Sequence, residues 1–148
     1  MGHWGVKSYE NDDADRALDA GFERVHGDLY EELMDDRNPL SFDQAQKRLA
    51  NDQTLAEAVR ILEQTLGATW DNDPAAWDEV ARLAFAGVVV RHAELGVAIP
   101  EPLRDRAITW LEGEEIDWEE EAKRRLRREK EIALLRRGKP ERPSGKTN

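Results

Sequence analysis

The densest set of chemically capable side chains in this 148-residue chain is acidic: Asp12, Asp13, Asp15 and Asp19, with Glu10 just before them. On a helix, Asp12, Asp15 and Asp19 fall on adjoining turns of one face. Oxygen-rich groups of this kind suit magnesium or calcium, so a metal-dependent hydrolase built on the four aspartates is one chemistry the spacing allows. The same residues have a plainer use. Acids in a first helical turn are favoured by the helix dipole, and Asn11 or Asp12 can cap the helix by accepting its free N–H groups. The plainer use is the expectation, because the chain has neither the calcium-loop order nor a histidine at metal-ligand spacing from a carboxylate. Asp71, Asn72 and Asp73 fail the same loop, since Pro74 and Ala76 stand where it needs a ligand and a glycine. No metal or other cofactor is expected.

Catalytic nucleophiles and bases are as poorly supplied. His3, His26 and His92 are far apart, with no i, i+4 pair, and read as core-edge or surface residues. His3 sits where a free amine and two amides could join it around copper or nickel, but removal of Met1, favoured by the small Gly2, breaks that register. Val6 occupies the position that a myristoylation signal wants as Ser or Thr. Ser8, Ser41 and Ser144 fall in the opening segment, a cap and the tail, with no Gly-x-Ser-x-Gly elbow, and no phosphate-binding glycine loop is present. Cysteine is absent, which excludes disulfides, thiolate zinc sites and cysteine nucleophiles and agrees with a reducing compartment. The chain therefore reads as a non-catalytic module.

Charge points instead toward docking. The net charge is −10, yet residues 123 to 148 hold eleven Lys and Arg against three acids, a net of +8 that leaves −18 on the rest. The acidic body disfavours duplex DNA through its long-range field, so nucleic acid is not the expected partner. Phosphate-backbone binding by the basic helix from Lys123 to Arg137 stands as an alternative. The favoured reading is a protein partner, met through the acidic surface or through the charged helix. Its candidate contacts are Trp4, Tyr9, Asn11, Asp12 and Asp13 at the start and Trp118, Arg124 and Arg128 near the end.

These residues need elements to position them, and the signals are helical throughout. Ala14, Leu18, Phe22, Val25, Leu29 and Leu33 recur at three- or four-residue steps, predicting a helix to about Asp36 with soft points at Gly21 and Gly27. Asn38-Pro39 ends it. Ser41 with Gln44, and Thr54 with Glu57, form capping-box patterns that open helices ending near Ala50 and Gly67. Asp73-Pro74 predicts the cap and first position of an apolar helix over 74 to 95, around which the others wrap. The β-branched run Val88 to Val90 leaves a buried strand as the alternative there. A further helix opens at Ile99-Pro100-Glu101-Pro102 and breaks at Gly113. From Asp117 a charged helix runs to Arg137, with Glu119, Glu120 and Glu121 four residues before Lys123, Arg124 and Arg125, and with Trp118, Ala122, Leu126, Ile132 and Leu135 on its apolar side. The expected fold is an all-α, single-domain bundle of five or six helices over residues 1 to 138, with an irregular lead-in, a long charged C-terminal helix and a mobile tail from 139 to 148. The start lacks a signal-peptide pattern, and the longest apolar run, Leu83 to Val90, is far below a membrane span of roughly 18 residues, so a cytoplasmic location is expected.

The lead-in also carries a resemblance. Met1, Gly2, Trp4 and Gly5, then Tyr9, Asn11, Asp12 and Ala14, resemble the opening of a bacterial family known as domain of unknown function four-two-five-nine. The stretch Ala84 to Gly96 followed by Ile99-Pro100-Glu101 is similar to that family's apolar helix and its proline-started successor. The resemblance implies a small helical bacterial protein and brings no assigned activity.

Overall fold

A computed structural model of the chain describes residues 5, 7–35, 37, 39–116 and 120–137. Trp4, Trp118 and the segment from 139 to 148, all invoked above, lie outside the described residues. The fold is all-α, with seven helices among the described residues: α1 (Asp12–His26), α2 (Asp28–Met34), α3 (Phe42–Leu49), α4 (Asp52–Leu66), α5 (Glu79–Glu94), α6 (Glu101–Glu112) and α7 (Glu121–Arg137). No extended strand occurs among the described residues, and no described helix is long and apolar enough to cross a membrane.

Helix α5 is the axis of the bundle, touching α1, α4, α6 and α7. That explains its composition. Ala84 to His92 are buried without a break, so no face of this stretch needs to be polar, and the run Val88 to Val90 is helical rather than a strand. Helices α1 and α4 form the most extensive pair, and Gly21 permits it, because a Cβ there would stand 2.8 Å from the backbone nitrogen of Ala58. Phe22, Leu55, Phe85, Leu111 and Leu135 fill the space between the helices.

Local signals decide most of the ends. Ser41 and Gln44 make the expected reciprocal cap, and Gly67 closes α4 in the left-handed conformation that a Cβ would penalise. Four boundaries differ from the sequence reading, one being the start of α7, which falls at Glu121 with Glu120 still in a turn where the charged helix was expected from Asp117. The first predicted helix is two, because Gly27 at φ 58° and ψ −128° takes a conformation open to glycine and turns the chain between α1 and α2. Helix α4 starts earlier than expected, at Asp52, because Asn51 caps it and Thr54 returns the bond, in place of a Thr54 with Glu57 box. Helix α5 starts later, at Glu79 behind an Asp78 cap, while Pro74–Ala76 forms a single 3-10 turn. The late start lets fully buried Trp77 pack against Phe85 and Trp110, at ring separations of 5.8 and 5.5 Å. On α7, Leu135 is buried as expected, whereas Leu126 stays 58% exposed.

Candidate functional site

Two segments singled out in the sequence, the lead-in and the basic helix, meet on α5. The lead-in backbone lies directly on that helix at Gly87, where a Cβ would stand 2.7 Å from the Ser8 carbonyl carbon and 2.8 Å from Tyr9 Cα. The Ser8 N–H donates to Glu131 Oε2 at 2.8 Å, and the Tyr9 hydroxyl donates to Glu94 Oε1 at 2.6 Å. Arg127 joins these two carboxylates, donating through Nε to Glu131 at 3.1 Å and pairing with Glu94 through its other end. Arg124, fully buried, places Nη1 3.0 Å from Glu131 and forks onto both Glu114 oxygens. Across α5, Arg91 donates to Gln46 at 2.8 Å and to Asp43 at 2.6 Å, and its third nitrogen lies 3.6 Å from Glu94. The result is a line of alternating charge from Asp43 through Arg91, Glu94, Arg127, Glu131 and Arg124 to Glu114.

Tyr9 sits against the middle of that line, with the Arg91 and Arg127 guanidiniums 5.3 and 5.9 Å from its ring centre. Burial, and then the hydrogen bond to Glu94, push its hydroxyl far above the ordinary phenol value, so it stays a proton donor. Burial alone would weaken the Arg124 cation, but Glu114 and Glu131 outweigh it and hold its pKa above the usual guanidinium value. With each carboxylate matched to a cation, the line fastens the lead-in, α3, α5, α7 and the segment after α6 together. Gly87→Ala should therefore act on the fastening. We expect a loss of about 2 kcal/mol, because the clash is with backbone that cannot rotate away, measured as a lower urea midpoint at unchanged slope. A loss below a few tenths would show that the lead-in shifts freely.

The sequence-predicted residues divide sharply. Tyr9 belongs to the charged line. Asn11 is spent on structure, accepting the Ala14 N–H at 2.8 Å as the α1 cap and donating to the Ser8 carbonyl at 2.6 Å. Arg124, expected on an outer face of the basic helix and opposite Glu120, is instead enclosed, because Glu114 and Glu131 supply buried partners that a surface site lacks. Arg128 donates to the Leu111 and Glu114 carbonyls at 3.2 and 2.9 Å, closing the end of α6. Of the predicted i, i+4 pairs among described residues, Glu121 with Arg125 forms, while Lys123 turns to Glu120. Arg91, Glu94, Arg127 and Glu131 were missed.

No protein-family model, curated protein or solved structure matches this chain. Geometry must therefore carry the reading. Asp12, Asp15, Asp19 and Glu23 form an acidic ridge along α1, and none of the four has an ion-pair partner among the described residues. Partial burial, and then Asp19 and Asp12, raise the Asp15 carboxyl; a hydrogen bond with Glu31 and its charge raise Glu23. The Tyr30 hydroxyl donates to Asp19 at 2.5 Å. Asp13 stands aside and pairs with Arg16 at 3.4 Å. The aspartates do not converge: among the described residues no group of three or more His, Asp or Glu is placed to hold a metal ion. Of the histidines, His26 bonds the Leu49 carbonyl and His92 lies between Thr54 and the Val88 carbonyl.

Beside the ridge, a cavity of about 250 Å³ opens between the lead-in, α1, α3 and α5. Lys7, Tyr9, Asp15, Phe42, Asp43 and Arg91 are on its walls.

Proposed function

We propose that this protein is a non-catalytic interaction module that docks a basic protein partner along the α1 ridge. The observation that supports the reading is the row of carboxylates Asp12, Asp15, Asp19 and Glu23, which have no cation partner among the described residues. Burial first, and then the charges of Asp19 and Asp12, raise Asp15, while a hydrogen bond with Glu31 and its charge raise Glu23, so an arriving Lys or Arg side chain that favours the charged carboxylates is welcome there. The charged C-terminal helix is the weaker of the two docking surfaces. Arg124, Arg127 and Arg128 are bound to the protein's own body, and Arg136 pairs with Glu112 at 2.5 Å. That use of its cations also counts against phosphate-backbone binding by this helix. The cysteine-free composition is compatible with a cytoplasmic setting. Membership of the bacterial family that the opening residues resemble is part of the same proposal and adds no activity to it.

A labelled lysine- and arginine-rich peptide tests the ridge directly. Binding should weaken steeply with added salt, and Asp12→Lys with Glu23→Lys should reduce affinity about tenfold or more, because exposed charges act through both contact and steering. The same double variant should lose any stoichiometric partner that the native protein draws from lysate. Peptide binding indifferent to charge reversal, with no partner recovered at low or moderate salt, would sink the reading.

A further inference from the structure

We infer that the cavity between the lead-in, α1, α3 and α5 binds a free amino acid with an apolar side chain, its carboxylate facing Lys7 and its ammonium facing Asp15. This goes beyond docking on the ridge and does not depend on it. The argument is an account of every charged group on the cavity wall. Arg91 is satisfied by Gln46 and Asp43, and the Tyr9 hydroxyl by Glu94. Glu10 accepts the Lys7 backbone N–H at 3.0 Å. Two charged side chains are left with neither a hydrogen bond nor an ion pair among the described residues. The Lys7 ammonium has a ring contact with Tyr9, 5.7 Å from its centre, but no carboxylate partner among the described residues. Asp15 likewise has no cation. Opposite charges that border one cavity without meeting are the complement of a zwitterion.

The remaining wall sets the side chain. Leu18 lines the inner part, and Phe42, the first residue of α3, leaves 55% of its surface exposed at the rim. An aromatic so exposed contributes little to the core, yet it gives an apolar ligand side chain something to cover. The Asp15 carboxyl, raised by partial burial and then by Asp19 and Asp12, gains from any cation placed beside it. About 250 Å³ suits a ligand of amino-acid size, just under the roughly 300–1,000 Å³ of larger small-molecule sites.

The probes are L-phenylalanine, N-acetyl-L-phenylalanine, which lacks the ammonium, and L-phenylalaninamide, which lacks the carboxylate, titrated by calorimetry and amide NMR shifts. Phenylalanine should bind saturably, with each blocked derivative about tenfold weaker. Lys7→Gln should weaken phenylalanine yet leave the amide unchanged, and Asp15→Asn should weaken phenylalanine yet leave the acetyl derivative unchanged. Neither side chain is in the core, so melting temperatures should match the native protein and confirm that the variants are folded. No saturable binding by about 10 mM, equal affinity for the three probes, or indifference to both substitutions would overturn the proposal. A ridge that binds the basic peptide while the cavity stays silent would separate this failure from that of the docking function.

Discussion

Replacing Arg124 with methionine should destabilise the fold by about 3–5 kcal/mol, read as a lower denaturant midpoint. Methionine keeps most of the apolar stem but removes the planar fork. Among the described residues Glu131, 1% exposed, would then retain only Arg127 and the Ser8 N–H, and Glu114 would lose all three of its bonds from the guanidinium. Breaking a buried pair from one side costs more than the pair itself contributes, because the stranded charge has neither water nor partner. A loss of this size is a large share of the roughly 5–15 kcal/mol that holds an ordinary domain folded. Arg124→Lys should fall between, since an ammonium keeps the charge without the bidentate geometry. Adding Glu131→Gln to Arg124→Met should recover part of the loss, giving a coupling of about 2 kcal/mol; simple additivity would mean that the two groups do not act together. Because Glu131 also holds Ser8, the single variant should loosen the lead-in, seen as faster amide exchange at Ser8.

The same residues show which parts of this molecule are legible in its sequence. Helix ends governed by neighbours in the chain could be read: Ser41 with Gln44, Gly67 and Gly113 all act within one turn. The start of α4 could not. Asn51 with Thr54 and Thr54 with Glu57 both have cap spacing, and Thr54 is drawn to the first by its contact with His92, 38 residues away. Trp77 shifted the start of α5 for a similar reason, since its burial against Trp110 on α6 is invisible locally. The charged helix shows the limit most clearly. Its i, i+4 pattern correctly indicates exposed pairs such as Glu121 with Arg125, but Arg124 belongs to Glu114 and to Glu131, two turns further on. One signal was available and unused. Arg91 and Glu94 follow directly on the buried apolar run Ala84 to Val90, and charges bordering a buried run require partners, which points to a polar site at that end of α5. Ser8 and Tyr9 fasten the lead-in to Glu131 and Glu94, partners more than 80 residues away that no local pattern announces.

His92 should make the fold lose roughly 3 kcal/mol between about pH 6.5 and pH 4. Its ring is fully buried, 5.7 Å from that of Phe22, with Nδ1 3.0 Å from the Val88 carbonyl and Nε2 2.8 Å from the Thr54 hydroxyl. The neutral ring meets both neighbours, donating from Nδ1 to Val88 and accepting at Nε2 from Thr54. Burial first, and then the adjacent Arg91 cation, pull its pKa down to about 4 against the upward pull of the Val88 carbonyl. In the unfolded chain the same ring titrates near 6.5. Between those values the unfolded state takes up a proton that the folded state refuses, so stability falls with pH across that window and levels off below it. Carboxylates titrate in the lower part of the same range, and raised groups such as Asp15 act in the opposite sense. His92→Gln isolates the histidine, because it keeps an amide able to bond Val88 or Thr54 and leaves every carboxylate in place. The native protein should be the more stable of the two at pH 7.5, and its advantage should shrink by roughly 3 kcal/mol on acidification to pH 4. A difference that stays constant across that range would mean that the ring accepts its proton within the fold, with Thr54 turning its hydroxyl to the Asn51 carbonyl, 2.8 Å away, to receive it.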